Sequence, residues 1–339
     1  MKKKVLGAIF LLLILGFLFA VSRNTAGVPI DGTASEEETD DEEETEETEE
    51  EGVLRFGLTG IDVEIPYFEA MKQEIQIELH RRNCMLVYEN LEEKTAEKQL
   101  EQVRGFIDAK VDAVFFCPVD RESDYTEKAL EELQEANIPV INIETEVKDL
   151  DEVDAYVGSN NRNAGYICGK DLVLRMEKGG SVVILESSSV LSINERITGF
   201  EKAIANKGFE IMARTDVNED GSNAKEAMAA ILEANPKIDV VMCGSDEIAL
   251  AALQAIQEAG RSEMMVYGVE GAPKLKAELA KADTQLAGTA AMSPIGIGRN
   301  AVETALKILN NEDYDEECTV QNYFISKENV SLYGTDGWQ

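Results

Sequence analysis

Histidine is almost absent from the sequence: His80 is the only one in 339 residues. Histidine is the usual general base of enzymes and the commonest metal ligand, and His80 has two arginines beside it and no nucleophile. The run Ser187–Ser189 lacks the glycines of a nucleophile elbow, and Gly296–Gly298 lacks the third glycine of a dinucleotide-binding loop. No phosphate loop or cluster of metal ligands occurs in the sequence. We therefore expect no enzyme, no cofactor and no metal site.

Cysteine is also scarce, with five residues that are odd in number and widely spaced. No CxxC pair occurs, which argues against a zinc site or a redox pair. Cys117 and Cys243 lie at the ends of apolar runs, and Cys168 lies within a helical pattern. They are predicted to be small buried apolar residues. The alternative, in an exported chain, is that two of the five cysteines form one disulfide.

Basic residues are few: 32 lysines and arginines stand against 66 aspartates and glutamates, so the formal net charge is −34. Thirteen of the acidic residues lie in Glu36–Glu51, and the rest of the chain is strongly acidic without them. Such a surface repels phosphate backbones and anionic lipid head groups. Nucleic acid is therefore excluded as a partner, and membrane contact is expected only through the N-terminal segment.

A long apolar run, Val5–Val21, follows three lysines at the N-terminus. A basic start before an apolar run is typical of an export signal. Ala20-Val21-Ser22 has small residues spaced for signal-peptidase cleavage, but 17 residues also reach the lower limit of a membrane-spanning helix. Residues 1–22 are thus predicted to be a signal peptide or a membrane anchor, and residues 23–52 an acidic disordered linker. The remainder would be extracytoplasmic, on the cell surface or secreted.

The stretch Asp239–Leu253 shows the unit that recurs along the chain. Val240–Met242 is an apolar run typical of a strand buried on both faces. Ser245 and Asp246 are good helix caps, and apolar residues then recur at helical spacing. About a dozen such strands, the last predicted at Val320–Ile325, are too many for one open sheet. The pattern therefore predicts an α/β protein with two lobes of parallel sheet.

Four segments stand out along the chain: IPYFEAMKQEI (Ile65–Ile75), YVGSNNRNAGYICGKDL (Tyr156–Leu172), ERITGFEKAI (Glu195–Ile204) and GSDEIALAALQAIQEAG (Gly244–Gly260). In this order they resemble the periplasmic sugar-binding proteins of the ribose/galactose type. That family shares its fold with the cores of LacI-type repressors, but this chain has an export segment in place of a DNA-reading helix pair. The resemblance implies two Rossmann-like lobes, a three-strand hinge, and a ligand in the cleft between the lobes.

The hinge crossovers would fall near Gly158, Met292 and Val320–Asn322. The N-terminal lobe would then comprise residues 53–158 plus 293–321, and the C-terminal lobe residues 159–292 plus 322–339. We also expect the protein to be a monomer.

The resemblance also assigns site residues in the first lobe. Ile65, Tyr67 and Phe68, around Pro66 at the start of a helix, match the segment whose aromatic pair meets the sugar ring. Glu144 stands where the family has an Asp that accepts hydrogen bonds from sugar hydroxyls. Thr145 replaces an Arg found in ribose binders.

The second lobe contributes the other matched positions. Arg196, in the pattern RxxGF, matches an Arg that clamps adjacent hydroxyls, and its planar fork suits that task. Ser245 stands where the family often has Asn, and Glu270 where it has Asp. Met292 replaces a Gln of ribose binders, and Glu219 lies near the position of a second aromatic residue. One stacking face is therefore expected to be missing.

The matched positions are rich in carboxylates. If Glu144, Glu219 and Glu270 all face the cleft, Arg196 alone does not neutralise them. We therefore expect a ligand rich in hydrogen-bond donors, a sugar, polyol or amino sugar, and favour an amino sugar or another cationic polyol over plain ribose. Two functions stay open. The chain delivers its ligand to an ABC permease by hinge closure, or it is a membrane-tethered sensor that presents its liganded state to a histidine kinase or chemoreceptor.

Overall fold

The computed structural model describes residues 52–339, in which twelve strands form two six-stranded sheets. The strands are β1 Arg55–Thr59, β2 Met85–Val87, β3 Ala113–Phe116, β4 Val140–Ile143, β5 Ala155–Ser159, β6 Ser181–Glu186, β7 Glu210–Asp216, β8 Val240–Cys243, β9 Met265–Glu270, β10 Leu286–Ala291, β11 Glu317–Val320 and β12 Tyr323–Ser326. The helices are α1 Pro66–Arg81, α2 Ala96–Asp108, α3 Asp124–Glu135, α4 Asn161–Arg175, α5 Leu191–Ile204, α6 Ala224–Ala234, α7 Asp246–Glu258, α8 Pro273–Leu279, α9 Pro294–Leu309 and α10 Val330–Tyr333.

The two sheets share one strand order. The first runs β11-β5-β4-β3-β1-β2 and the second β12-β10-β9-β8-β6-β7. All pairs are parallel except β10 with β12, which is antiparallel. The α/β class with two similar lobes is therefore confirmed. We call the first sheet with α1–α3 and α9 the first lobe, and the second sheet with α4–α8 and α10 the second lobe. The chain changes lobe three times, after β5, after β10 and between β11 and β12.

Burial explains the central strands. Every residue of β3, β4, β5 and β8 is buried, as their apolar runs predicted for strands covered on both faces. The edge strand β7 is mostly exposed, and its sequence EIMARTD is correspondingly mixed. Because parallel strands end at one edge of each sheet, the loops after β4, β8 and β9 collect there.

Proline and serine set the helix starts that matter for the site. Pro66 occupies the first turn of α1, where its missing N–H has no helical partner. Ser245 Oγ accepts a hydrogen bond from the Ile248 N–H at 3.2 Å and caps α7. Ser293 Oγ accepts from the Gly296 N–H at 2.9 Å and caps α9.

One expectation needs correction. The single late strand predicted at Val320–Ile325 is wrong: β11 and β12 belong to different sheets, with Gln321 and Asn322 between them. This part of the chain pairs first with β5 and then with β10, so it contributes a strand to each lobe.

The prediction of small buried residues is confirmed for Cys117, Cys168 and Cys243, and all five cysteines are free thiols.

The predicted export segment 1–22 and most of the linker 23–52 lie outside the described residues. None of the helices in residues 52–339 has the length and apolar character needed to cross a membrane.

Candidate functional site

In the first lobe, Tyr67 and Glu144 form a buried pair. Tyr67, in the first turn of α1, donates its hydroxyl hydrogen bond to Glu144 Oε2 at 3.2 Å. Glu144 directly follows β4 and has φ of 58°, the left-handed region that residues with a Cβ rarely adopt. Two contacts hold this turn: the Glu144 N–H donates to the Val157 carbonyl at 3.0 Å, and the Tyr156 hydroxyl donates to the Glu144 carbonyl at 2.9 Å.

In the second lobe, Arg196 is the centre of a buried network. It lies on α5 and is only 4% exposed. Its guanidinium donates to Glu270 Oε1 at 3.0 Å, to the Gly244 carbonyl at 3.0 Å, to Asn161 Oδ1 at 2.9 Å and to Met292 Sδ at 3.3 Å. A thioether is a weak acceptor, so the guanidinium nitrogen that faces Met292 makes the weakest of these hydrogen bonds.

Glu270 has the more unusual backbone of the two carboxylates. It is the last residue of β9 and has φ of 127°, followed by Gly271 with φ of 76°. Such a conformation costs on the order of 1–3 kcal/mol and persists at positions where the surroundings impose it. The Glu270 carbonyl accepts from the Met292 N–H at 2.9 Å, which ties the turn to the end of β10.

Burial and the neighbouring charges shift the pKa values of Tyr67, Glu144 and Glu270. Burial raises the pKa of Glu144 to about 7, while Arg196 and the hydrogen bond from Tyr67 oppose the rise and Glu270 adds to it. Burial also raises the pKa of Glu270, against the effect of Arg196. The pKa of Tyr67 is raised well above its ordinary value by burial and by the Glu144 charge. Both lobes therefore contribute to one electrostatically linked cluster.

Asp246 is a third buried carboxyl next to this cluster. Burial, with a smaller contribution from the Glu270 charge, raises its pKa to about 7. Its two oxygens accept from the Ala272 N–H at 2.7 Å and from Thr289 Oγ1 at 2.8 Å. Asp246 thus connects β8 to β9 and β10, while the helix cap comes from Ser245.

The structure places the remaining predicted residues around the cluster. The Phe68 ring is half-buried and meets the Tyr67 ring edge-on, with centroids 5.6 Å apart. Ile65 precedes α1 and is 38% exposed. Thr145 is half-buried beside Glu144. Glu219 lies on the exposed loop after β7, and its charge still raises the pKa of Glu270.

Sequence reasoning missed three residues at this site. Asn161 orients the Arg196 guanidinium from the first turn of α4. Ser159, at the end of β5, is buried, and its side chain interacts with the Tyr67 hydroxyl and opposes the rise in the pKa of Tyr67. Trp338 meets the Tyr67 ring edge-on, with centroids 5.3 Å apart. Ser159 and Asn161 lie in the matched segment Tyr156–Leu172 but were not assigned to the site, and Trp338 lies beyond the region that carries the family resemblance.

The cluster suits recognition rather than bond cleavage. Carboxylates accept hydrogen bonds, the guanidinium and tyrosine donate them, and aromatic rings offer apolar faces, which are the contacts that polyhydroxylated or cationic ligands need. Within residues 52–339, no group of three or more His, Cys, Asp or Glu side chains is placed to hold a metal ion.

Comparison with known proteins gives consistent matches. A model of the periplasmic binding protein domain matches residues 56–313. The ribose import binding protein RbsB of Escherichia coli (strain K12) is 31% identical over 264 residues, which are 78% of this chain and 87% of that protein.

Two solved structures are similar over most of the chain. An ABC transporter periplasmic solute binding protein from Actinobacillus succinogenes 130z with bound D-allose has a TM-score of 0.76 and 26% identity, covering 83% of this chain and all of that one. The fructose binding periplasmic domain of a hybrid two component system has a TM-score of 0.71 and 25% identity, covering 83% of this chain and 93% of that one.

Proposed function

The chain belongs to the periplasmic binding protein family, and we propose that it binds a sugar or sugar-like polyol outside the cytoplasm and delivers it to an ABC importer. The observation that carries this proposal is the linked cluster of Tyr67 and Glu144 from the first lobe with Arg196 and Glu270 from the second. The names of the relatives support the ligand class, because they include binding proteins for ribose and D-allose.

Hinge closure would couple binding to delivery. The chain changes lobe in three places, so the lobes are joined by three short connections. A ligand that contacts Glu144 on one side and Arg196 on the other makes both sets of contacts only when the lobes are together. Such a ligand therefore shifts the equilibrium toward the closed form. The lobe limits at residues 158, 292 and 321, the monomeric state and the roles of the other predicted site residues are parts of this proposal.

We further propose that the ligand carries a positive charge or an excess of donors. Three buried or half-buried carboxyls, Glu144, Asp246 and Glu270, stand beside one guanidinium. That guanidinium is engaged by Glu270. An amine on the ligand would neutralise the remaining carboxylate charge, whereas a plain sugar would leave it.

A thermal-shift screen with matched ligand pairs tests the proposal, because a ligand bound only by the folded form raises the melting temperature. D-Glucosamine against D-glucose isolates one amine, and D-ribose, D-allose and myo-inositol represent neutral ligands. We expect the amine-bearing member of the pair to give the larger shift, and calorimetry on Glu270→Ala to show a loss of about tenfold or more in its affinity. Tight D-ribose binding that survives Glu270→Ala contradicts the cationic-ligand proposal.

The second candidate function is a tethered sensor. Two observations favour it: the apolar run Val5–Val21 has no cysteine for lipid attachment after it, and one similar structure is the periplasmic domain of a two-component system. The neighbouring genes distinguish the two functions. A permease and an ATPase indicate import, and a kinase with a response regulator indicates sensing. Membrane fractionation of the expressed protein decides whether residues 1–22 stay as an anchor.

A further inference from the structure

The segment Gly334–Gln339, after α10, is held against the second lobe by a buried lysine. Lys276 of α8 is fully buried, and its Nζ donates to the Gly337 carbonyl at 2.6 Å and to Gln339 Oε1 at 3.0 Å. Burial lowers the pKa of Lys276, against the charges of Asp246 and Asp336. A buried ammonium needs such partners because an unpaired one is strongly destabilising. The segment is therefore fixed in position.

A second contact anchors the segment where the chain passes from β10 into α9. Ser293, which caps α9, donates its hydroxyl hydrogen bond to the Gln339 carbonyl. The Gln339 side-chain amide also donates to the Tyr333 carbonyl at 3.2 Å, which closes the segment back on α10. Residues on both sides of Trp338 are thus tied to the second lobe and to its connection with the first.

These anchors direct Trp338 toward the other lobe. Its half-buried indole ring meets the Tyr67 ring of α1 edge-on, at an interplanar angle of 85°. The Tyr67 hydroxyl donates to Glu144, so the indole contacts a member of the linked cluster directly. Phe68 meets Tyr67 at the same angle. Together the three rings form an aromatic wall at the candidate site.

Ser159 is a buried polar residue next to this wall. Its side chain interacts with the Tyr67 hydroxyl and opposes the rise in the pKa of Tyr67. An apolar ring face and a hydroxyl group side by side are what the two faces of a sugar ring require.

We propose that Trp338 is a ligand-contacting residue, which the segment Gly334–Gln339 carries to the site and which supplies the stacking surface that Glu219 does not provide. The inference rests on the proposed function, since it assigns one wall of the same site. This role gives a reason for the contacts of the buried Lys276, which hold the segment that places the half-buried indole against Tyr67.

Trp338 is the only tryptophan of the chain, so its fluorescence reports on this position without labelling. The experiment titrates the full chain with D-ribose, D-allose, myo-inositol and D-glucosamine, by calorimetry and by tryptophan emission in parallel. For each ligand that binds, we expect an emission change that saturates with the calorimetric dissociation constant. Trp338→Ala should weaken binding by about tenfold, and Trp338→Phe should weaken it less, because it keeps an aromatic face.

Two further variants separate contact from general effects. Leu332→Ala is the matched control, because Leu332 lies on α10 and is 83% exposed; its affinity should equal that of the parent. Lys276→Met removes the anchor and leaves the indole in place in the sequence. We expect its ligand-free emission to shift to the red, its acrylamide quenching to increase and its affinity to fall as in Trp338→Ala. Melting curves show which variants are folded. If Trp338→Ala is not folded, the ligand affinity of Trp338→Phe is compared with that of the parent instead.

The outcomes distinguish the two proposals. Binding of a ligand to Trp338→Ala within twofold of the parent overturns the assignment of Trp338 and leaves the proposed function intact. If none of the four ligands binds to the parent protein by calorimetry, sugar binding itself is overturned, and the assignment of Trp338 with it.

Discussion

The two lobes treat one structural position in different ways. β4 and β9 occupy the same place in the shared strand order, and each is followed or ended by a glutamate with positive φ, Glu144 and Glu270. In the first lobe the carboxylate meets a neutral phenol, and its pKa rises to about 7. In the second it meets a guanidinium. The repeated fold thus supplies the position of an acceptor whose pKa burial raises in both lobes, and the lobes differ in the side chain that donates to it, a phenol or a guanidinium.

Removing the guanidinium should give the largest effect. Arg196→Met leaves Glu270 half-buried without its cation, and breaking a buried ion pair in this way costs about 3 kcal/mol. We expect urea unfolding to show that loss with an unchanged slope. The double variant Arg196→Met with Glu270→Gln should recover much of it, because no unpaired charge remains. If Arg196→Met lowers the free energy of unfolding by less than about 1 kcal/mol, the ion pair of the second lobe does not set it apart from the first lobe.

The pH dependence of stability should be the next largest effect. The pKa of Glu144 is raised in the folded protein, so the folded state holds its proton more tightly than the unfolded state. Its contribution to stability is therefore complete at low pH and is lost as the pH rises through about 7. Asp246 acts in the same direction, with its pKa also raised to about 7.

We expect the melting temperature to fall between pH 5 and pH 8, with up to about 2 kcal/mol of that change due to Glu144. Glu144→Gln keeps an acceptor for Tyr67 and removes the charge, so it should flatten the curve and be at least as stable as the parent at pH 8. A curve for Glu144→Gln that runs parallel to that of the parent would refute a shifted pKa at this position.

The smallest expected effect concerns the helix caps. Ser245 caps α7 directly after β8, whereas the corresponding helix of the first lobe, α3, is capped by Ser123 after an intervening loop. Ser245→Ala and Ser123→Ala should each lower stability by about 1 kcal/mol. Only Ser245→Ala should weaken ligand binding, by a few fold, since Ser245 is next to the site and its hydroxyl hydrogen is not used by the cap. Equal ligand affinities in the two variants would show that Ser245 caps α7 and does not contact the ligand.

Most of the fold followed from the sequence because it depends on local pattern. Apolar runs such as Val240–Met242 predicted buried strands, and the family resemblance predicted two lobes, and both are confirmed. The strand predicted at Val320–Ile325 failed because β-propensity does not say which sheet a segment joins. The division into β11 and β12 depends on pairing with β5 and β10, which are distant in sequence.

The candidate site divides along the same line. Residues at strand ends and the first turn of α1, such as Glu144, Glu270 and Tyr67, were predicted because the family resemblance matches these positions to ligand contacts. Trp338 and Asn161 were not, since each acts through a contact with a residue from another element. Ser245 shows the remaining difficulty, because a cap and a ligand contact have the same sequence signal.

The order in which the chain is synthesised adds a consequence of the three lobe changes. Residues 161–291 contain the second sheet apart from β12, and they leave the ribosome before β11 and α9 exist. Until almost the whole chain has emerged, the first lobe is therefore incomplete. The side of β5 that pairs with β11 is open, and α1 lacks its neighbour α9. At that stage the second sheet lacks only its edge strand β12, so most of the second lobe can form before the first lobe receives α9 and β11.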